Sequence, residues 1–218
     1  MLAKALEHVG DRWTLLVVRD LMSGPKRFTD LMDRMAGITP KTLTRRLREL
    51  ETDGLVAVDR EPGRREVWYR LTPAGEDLRP ALEELLLWGL RNVAEPPRPE
   101  EPVHPEHLLL ALGLQLQREG LDVGSVRWAV HVPGTGDYLL IGDAGHWDLH
   151  PEDTPDGGAN LTITATRAAL ARFLTSPASR KPHPDEVDIA GTTAAIRTFL
   201  DAIEVFPPDP SGRHALHA

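Results

Sequence analysis

The residues best suited to chemistry are the cations Lys41, Arg45 and Arg48, with the hydroxyls of Thr39, Thr42 and Thr44 beside them. Ammonium, guanidinium and hydroxyl groups gathered on one short stretch hydrogen-bond to phosphate oxygens and to the acceptor edges of bases. No acidic residue interrupts Thr39 to Arg48, although the 218-residue chain is acidic, with 25 Lys+Arg against 33 Asp+Glu. Residues 1–95 carry 16 basic and 16 acidic groups, so the whole net charge of −8 lies in residues 96–218. A second half of that sign repels nucleic acid. Affinity for phosphate is thereby confined to a local patch, which argues against a general nucleic-acid coat protein. The alternative for such a charge run is a solvated helix face with no partner.

Other chemistries find less support. His104 with His107, and His146 with His150, have spacings seen in metal sites, but neither pair has a third ligand at a telling distance, so no metal is assigned. The chain has no cysteine, which excludes disulfides and thiolate zinc sites, and no serine or threonine has an evident base and orienter. Gly134-Thr-Gly136 and Asp156-Gly-Gly158 read as hairpin turns, since neither leads from a strand into a helix as phosphate cradling requires. No catalytic residue and no cofactor is assigned, and the chain is read as not an enzyme.

Elements must hold the cationic residues in place. Thr39 can cap a helix whose first residue is Pro40, where the missing N–H costs nothing, and Gly54 supplies a left-handed stop. At 3.6 residues per turn Leu43, Leu47 and Leu50 share a buried stripe, opposite Lys41, Arg45 and Arg48. Arg46 falls at the edge of the buried face, as a phosphate contact or an ion pair within the domain. Arg27 to Met35 forms a second amphipathic helix through Phe28, Leu31, Met32 and Met35, and Ala36-Gly37-Ile38 joins the two as a helix-turn-helix. Leu55–Arg60 and Glu66–Leu71 read as strands around a Pro62-Gly63 turn, a hairpin tipped by Arg64 and Arg65. Lys26 and Arg27, at the start of the first helix of the pair, complete the set of candidate DNA contacts.

Gly10-Asp-Arg-Trp-Thr-Leu-Leu-Val-Val-Arg-Asp-Leu, Gly24-Pro-Lys-Arg-Phe28, Leu47-Arg-Glu-Leu-Glu-Thr-Asp-Gly-Leu55, Leu71-Thr-Pro-Ala-Gly75 and Trp88-Gly89, in that order, resemble the HxlR-type winged helix-turn-helix transcriptional regulators over residues 3–91. The resemblance implies double-stranded DNA as partner and a homodimer built with the N-terminal helix and the leucine-rich last helix of the domain. Many such regulators sense oxidants through a cysteine near the N-terminus. Matching Ala5-Leu6-Glu7 to the pattern places that cysteine just before Met1, so no thiol switch is assigned here.

The rest of the domain, residues 1–94, reads as a short helix Leu2–Val9, a nearly all-apolar helix Asp11–Met22, and a last helix capped by Thr72. That last helix carries Leu78, Leu82, Leu85, Leu86 and Leu90. Pro80 inside it predicts a kink or break. Five prolines in residues 95–105 predict a semi-rigid linker. Beyond it, a helix Glu106–Glu119, strands at 126–132, 138–141, 147–150 and 160–166, a helix at 168–174, a strand at 187–190 and a helix at 193–205 predict an antiparallel sheet covered by helices on one side. The fold class is therefore α+β. This order, with Asn160-Leu-Thr-Ile-Thr-Ala165 and Val187-Asp-Ile-Ala-Gly191, resembles the sterol-carrier-protein-like domain over 104–206. The resemblance implies an apolar cavity, for which Leu109, Leu112, Leu116, Trp128, Trp147, Phe173 and Phe199 are the candidate lining residues. Residues 207–218 are expected to be a flexible tail.

No apolar run approaches the ~18 residues of a spanning helix and no signal peptide is evident, so a cytoplasmic protein off the membrane is expected. The reading is a sequence-specific regulator on a pseudo-palindromic operator, with an effector domain for an apolar small molecule. The alternatives are a lipid or small-molecule carrier, or an architectural protein, using the winged helix as an interaction module.

Overall fold

A computed structural model describes residues 1–60, 66–92, 103–152, 158–175 and 186–206. The Pro62-Gly63 turn with Arg64 and Arg65, most of the proline-rich stretch and the 207–218 tail lie outside the described residues. The chain divides into two units, Met1–Glu84 and Leu85–Ala218.

In the first unit, α1 (Leu2–Val9) is followed at once by α2 (Arg12–Leu21), because Asp11 takes an extended conformation and its Oδ1 accepts from the N–H groups of Trp13 and Thr14. Those donors have no partner inside the helix, so the cap stabilises the start. Val17, Val18 and Leu21 are fully buried, which makes α2 the centre of the small domain. β1 (Lys26–Arg27) leads into α3 (Phe28–Arg34), then come α4 (Pro40–Thr52), β2 (Val56–Arg60) and β3 (Val67–Leu71). The three strands form an antiparallel sheet in the order β1-β3-β2, with Val58 opposite Tyr69 and Lys26 on the other side of the same Tyr69. The Asp20 carboxylate is wholly buried in this unit and is paired with Arg19 at 3.1 Å and Arg34 at 3.5 Å, an ion cluster joining α2 to α3.

The expected break near Pro80 occurs three residues early. Thr72 caps α5 (Pro73–Glu76), accepting from the Gly75 N–H, and α6 (Arg79–Asn92) starts afresh. Pro80 becomes the second residue of the new helix, where no intrahelical hydrogen bond is lost. The division between the units falls within α6.

The second unit holds α7 (Pro105–Arg118), β4 (Val126–Val132), β5 (Gly136–Asp143), β6 (His146–Glu152), β7 (Leu161–Ala165), α8 (Arg167–Thr175), β8 (Val187–Gly191) and α9 (Thr193–Ile203). Its strands form one sheet in the order β6-β5-β4-β7-β8. This corrects the all-antiparallel expectation: β4 and β7 run parallel, with Trp128 opposite Leu161 and Val130 opposite Ile163. After the β4–β5–β6 meander β7 takes the free edge of β4 instead of extending from β6, and it runs the same way as β4. Alternation along a strand marks which residues face the core but not which strand lies next to it.

One apolar cluster joins Leu109, Leu112 and Leu116 of α7, Phe173 of α8 and Phe199 of α9 to Trp128, Val130, Leu140, Trp147 and Ile163 of the sheet. Packing there is tight. A Cβ added at Gly142 on β5 would stand 2.9 Å from Cζ3 and Cη2 of Trp147 and from Cγ2 of Val126. Gly142→Ala is therefore expected to destabilise the second unit by about 1–3 kcal/mol, the usual cost of overpacking, measured by denaturant unfolding of the full chain. An unchanged midpoint would show that Trp147 can move aside freely.

Candidate nucleic-acid interface

The α3–α4 connection turns on Gly37, at φ +83°, and closes with the Ile38 N–H donating to the Met35 carbonyl at 3.2 Å. Thr39 then caps α4: its Oγ1 accepts from the Thr42 N–H at 3.2 Å and lies 2.9 Å from the Thr42 hydroxyl, with Pro40 as first helical residue. At the other end Gly54, at φ +71°, reverses the chain so that the Leu55 N–H reaches the Leu50 carbonyl at 2.9 Å. The left-handed conformation needed there strains any side chain, so the sequence ends the helix at a glycine.

Between these ends α4 divides as its periodicity predicts. Leu43, Leu47 and Leu50 are at most 2 % exposed, while Lys41, Arg45 and Arg48 are exposed. Lys41, Thr44, Arg45 and Arg48 form one wall of a concave surface, and Glu7 and His8 of α1 lie across it. His8 Nδ1 meets Asp53 Oδ2 at 3.0 Å, just past the end of α4. Nothing in the sequence links residues 45 apart, so the contribution of α1 was not legible there. Arg45 lies 4.0 Å from Glu49 and is 61 % exposed, a separation at which the side chain stays available to a ligand.

Arg46 is resolved as an ion pair within the domain. It donates to Asp11 Oδ2 at 2.9 Å and to Glu49 Oε2 at 2.7 Å, with its side chain only 20 % exposed. Arg27 is also engaged within the unit. It donates to Asp30 Oδ1 and Oδ2 at 3.1 Å and to Glu66 at 3.4 Å, and lies over the Trp68 ring. Burial alone would raise the Asp30 pKa, but hydrogen bonds and charge from Arg27 outweigh it and hold the carboxyl below its ordinary value. Lys26 Nζ donates to the carbonyls of Ser23 and Gly24 at 3.3 and 3.2 Å. Arg64 and Arg65 lie outside the described residues.

In the second unit the seven candidate lining residues, Leu109, Leu112, Leu116, Trp128, Trp147, Phe173 and Phe199, come together in the one apolar cluster. His104 occupies the N-cap position of α7 without a side-chain cap bond and its ring meets that of His107, while His146 and His150 are exposed on β6. Among the described residues no three His, Asp or Glu side chains gather as a metal site, and no described helix is long and apolar enough to cross a membrane.

A three-helix core, a second helix presenting cations, and a hairpin from a three-stranded sheet together define a winged helix-turn-helix domain. The pattern of the HxlR-like helix-turn-helix family matches residues 8–97. An uncharacterised HTH-type transcriptional regulator of Mycobacterium tuberculosis is 46% identical over 102 residues, which is 45% of this chain and 61% of that protein. The chain thus spans about three-fifths of the length of this mycobacterial relative. YkvN of Bacillus subtilis, another uncharacterised HTH-type transcriptional regulator, is 43% identical over 86 residues, 38% of this chain and 71% of its own length. A solved chain from Enterococcus faecalis, assigned to the MarR family of transcriptional regulators, is 40% identical over 40% of this chain and 81% of its own, with a TM-score of 0.38. The chain belongs to the HxlR-like helix-turn-helix family through its N-terminal unit.

Removing Arg46 takes the shared partner from two part-exposed carboxylates and trims a half-buried side chain, so Arg46→Ala is expected to cost about 1 kcal/mol of stability. Arg48→Ala, on the exposed face, is expected to stay within about 0.5 kcal/mol of the parent. Denaturant unfolding of both variants checks the contrast; equal midpoints would show that the ion pair contributes nothing.

Proposed function

We propose that the chain is a sequence-specific, dimeric DNA-binding regulator of transcription that reads the major groove with the outward face of α4. The observation that carries this reading is the division of labour on that helix. Lys41, Arg45 and Arg48 are exposed on the outward face while Arg46 is tied inward to Asp11. A cation kept only for solubility has no reason to be separated in this way from one that builds the fold. The relatives support it, being regulators by name. Thr39, Thr42 and Thr44 lie beside the cations, Lys26 and Arg27 stand as further contacts, Arg27 after releasing Asp30, and Arg64 and Arg65 meet the minor groove or the backbone.

Dimerisation has support in each unit. No residue of α1 is buried, and Met1, Leu2 and Leu6 of that unit stay exposed; in the other, Leu85 and Trp88 of α6 are half exposed. Apolar faces of this kind on a single chain suit an isologous two-fold contact. The second unit is read as a sterol-carrier-like effector domain for an apolar molecule, supported by its element order and by the gathering of its large apolar side chains. For it to regulate, the ligand must favour one arrangement of the DNA-reading units, and a coupling of about 1–3 kcal/mol changes operator affinity some 5–150-fold.

The test is a mobility shift of the full chain on fragments from upstream of its own reading frame. Arg45→Ala is expected to lose about 1–3 kcal/mol on the preferred fragment and to relax the preference at one base pair. Equal losses on preferred and random fragments would contradict base reading by Arg45 and leave only phosphate contact.

A further inference from the structure

The hollow beside α4 has a second wall, and base reading by α4 makes no use of it. It measures about 770 Å³, with Lys41, Arg45 and Arg48 of α4 on one side and Glu7 and His8 of α1 on the other. At 3.6 residues per turn Lys4, Glu7 and His8 share one stripe of α1, and Leu2, Leu6 and Val9 lie opposite. No residue of α1 is buried, so both stripes are open. The bond of His8 to Asp53 turns the polar stripe toward α4 and leaves the apolar one clear of it.

That bond also fixes the chemistry of the ring. Asp53 Oδ2 lies 3.0 Å from His8 Nδ1, and a carboxylate only accepts, so Nδ1 carries a proton. Nε2 sits on the other side of the five-membered ring, directed away from Asp53, and has no partner among the described residues. In the neutral ring Nε2 shows a bare lone pair, which repels an anion; protonation turns the same atom into a donor. The side chain is 58% exposed, so a ligand in the hollow reaches it directly.

The charge of the hollow favours an anion by a narrow margin. Lys41, Arg45, Arg46 and Arg48 stand against the carboxylates of Glu7, Glu49 and Asp53, a surplus of one cation. Asp11, at the start of α2, is held by Arg46, as is Glu49. Protonation of His8 doubles the surplus, so a phosphate in the hollow meets two net positive charges in place of one. A helix seated in the major groove has a phosphate strand along each side, and α1 stands beside α4 where such a strand would run.

We propose that His8 is a titratable contact to the DNA backbone: when its ring is protonated, Nε2 donates to a phosphate lying in the hollow between α1 and α4. This rests on the reading of α4 as the DNA-binding helix, and adds to it a contact from α1 and a dependence on acidity. Only the protonated ring donates at Nε2, so binding takes up a proton and tightens as the pH falls.

The test compares the full chain with His8→Gln and His8→Lys on a duplex of random sequence, at about pH 8 and about pH 6 over a range of salt concentrations. The parent is expected to bind roughly fivefold more tightly at the lower pH, and its plot of log affinity against log salt to steepen by about 0.9, the amount for one added phosphate contact. His8→Gln has no charge to gain and is expected to show neither change. His8→Lys carries its charge throughout and is expected to show the steeper slope at both pH values. The ring is exposed, so both variants are expected to melt with the parent. Equal tightening in the parent and His8→Gln, tightening without a steeper salt slope, or a shallow slope for His8→Lys would overturn the contact while leaving DNA binding by α4 standing. If neither this duplex nor the upstream fragments are shifted at either pH, the DNA-binding reading falls with it.

Discussion

One carboxylate holds the cation-bearing helix α4 in place. Asp11 gives one oxygen to the start of α2 and the other to Arg46 of α4, so the helix at the centre of the domain and the helix at its surface share an anchor. The orientation of α4 follows from this and from the buried leucine stripe: once Arg46 is fixed inward, the 3.6-residue period leaves Lys41, Arg45 and Arg48 no direction but outward. The sharp caps at Thr39 and Gly54 then decide where along the surface those cations stand. Position along the helix and rotation about it are both needed before a side chain can meet a particular base edge.

The second unit follows a different logic. Its sheet pleats Trp128, Val130 and Leu140 onto one face, and α7, α8 and α9 supply the apolar cover. Little of its charge is inside; the surplus of acid that gives the chain its net −8 belongs to this half and keeps it from competing for phosphate. The second unit is apolar inside, whereas the first presents cations on the outward face of α4.

Much of the first unit was legible in the sequence because its signals are local. A threonine before a proline, a leucine every third or fourth residue and a glycine at the stop each act within one or two turns, and α4 came out from Pro40 to Thr52 as they imply. What was not legible depends on residues far apart. The wholly buried Asp20 reads in the sequence as an ordinary surface acid, since its partner Arg34 lies on another helix. The choice for Arg46 between phosphate and ion pair needed the position of Asp11, 35 residues away. In the second unit the strands were recognisable by alternation, but the parallel pairing of β4 with β7 was not, because period-two patterning carries no information about neighbours. The same holds for the indoles. Burial of Trp128 and Trp147 follows from pattern, whereas the lack of an acceptor for either Nε1 among the described residues appears only when the packed surroundings are seen.

The central claim, that two copies of α4 read a defined sequence, is tested most directly by letting the full chain select from fragments of its own genome and mapping the protection on the fragments it enriches. The expected result is a small set of sites sharing a two-fold-related motif, with paired protections in the major groove about 34–36 Å apart. Enrichment of no sequence above the input, or protection of a single unrepeated patch, would contradict it.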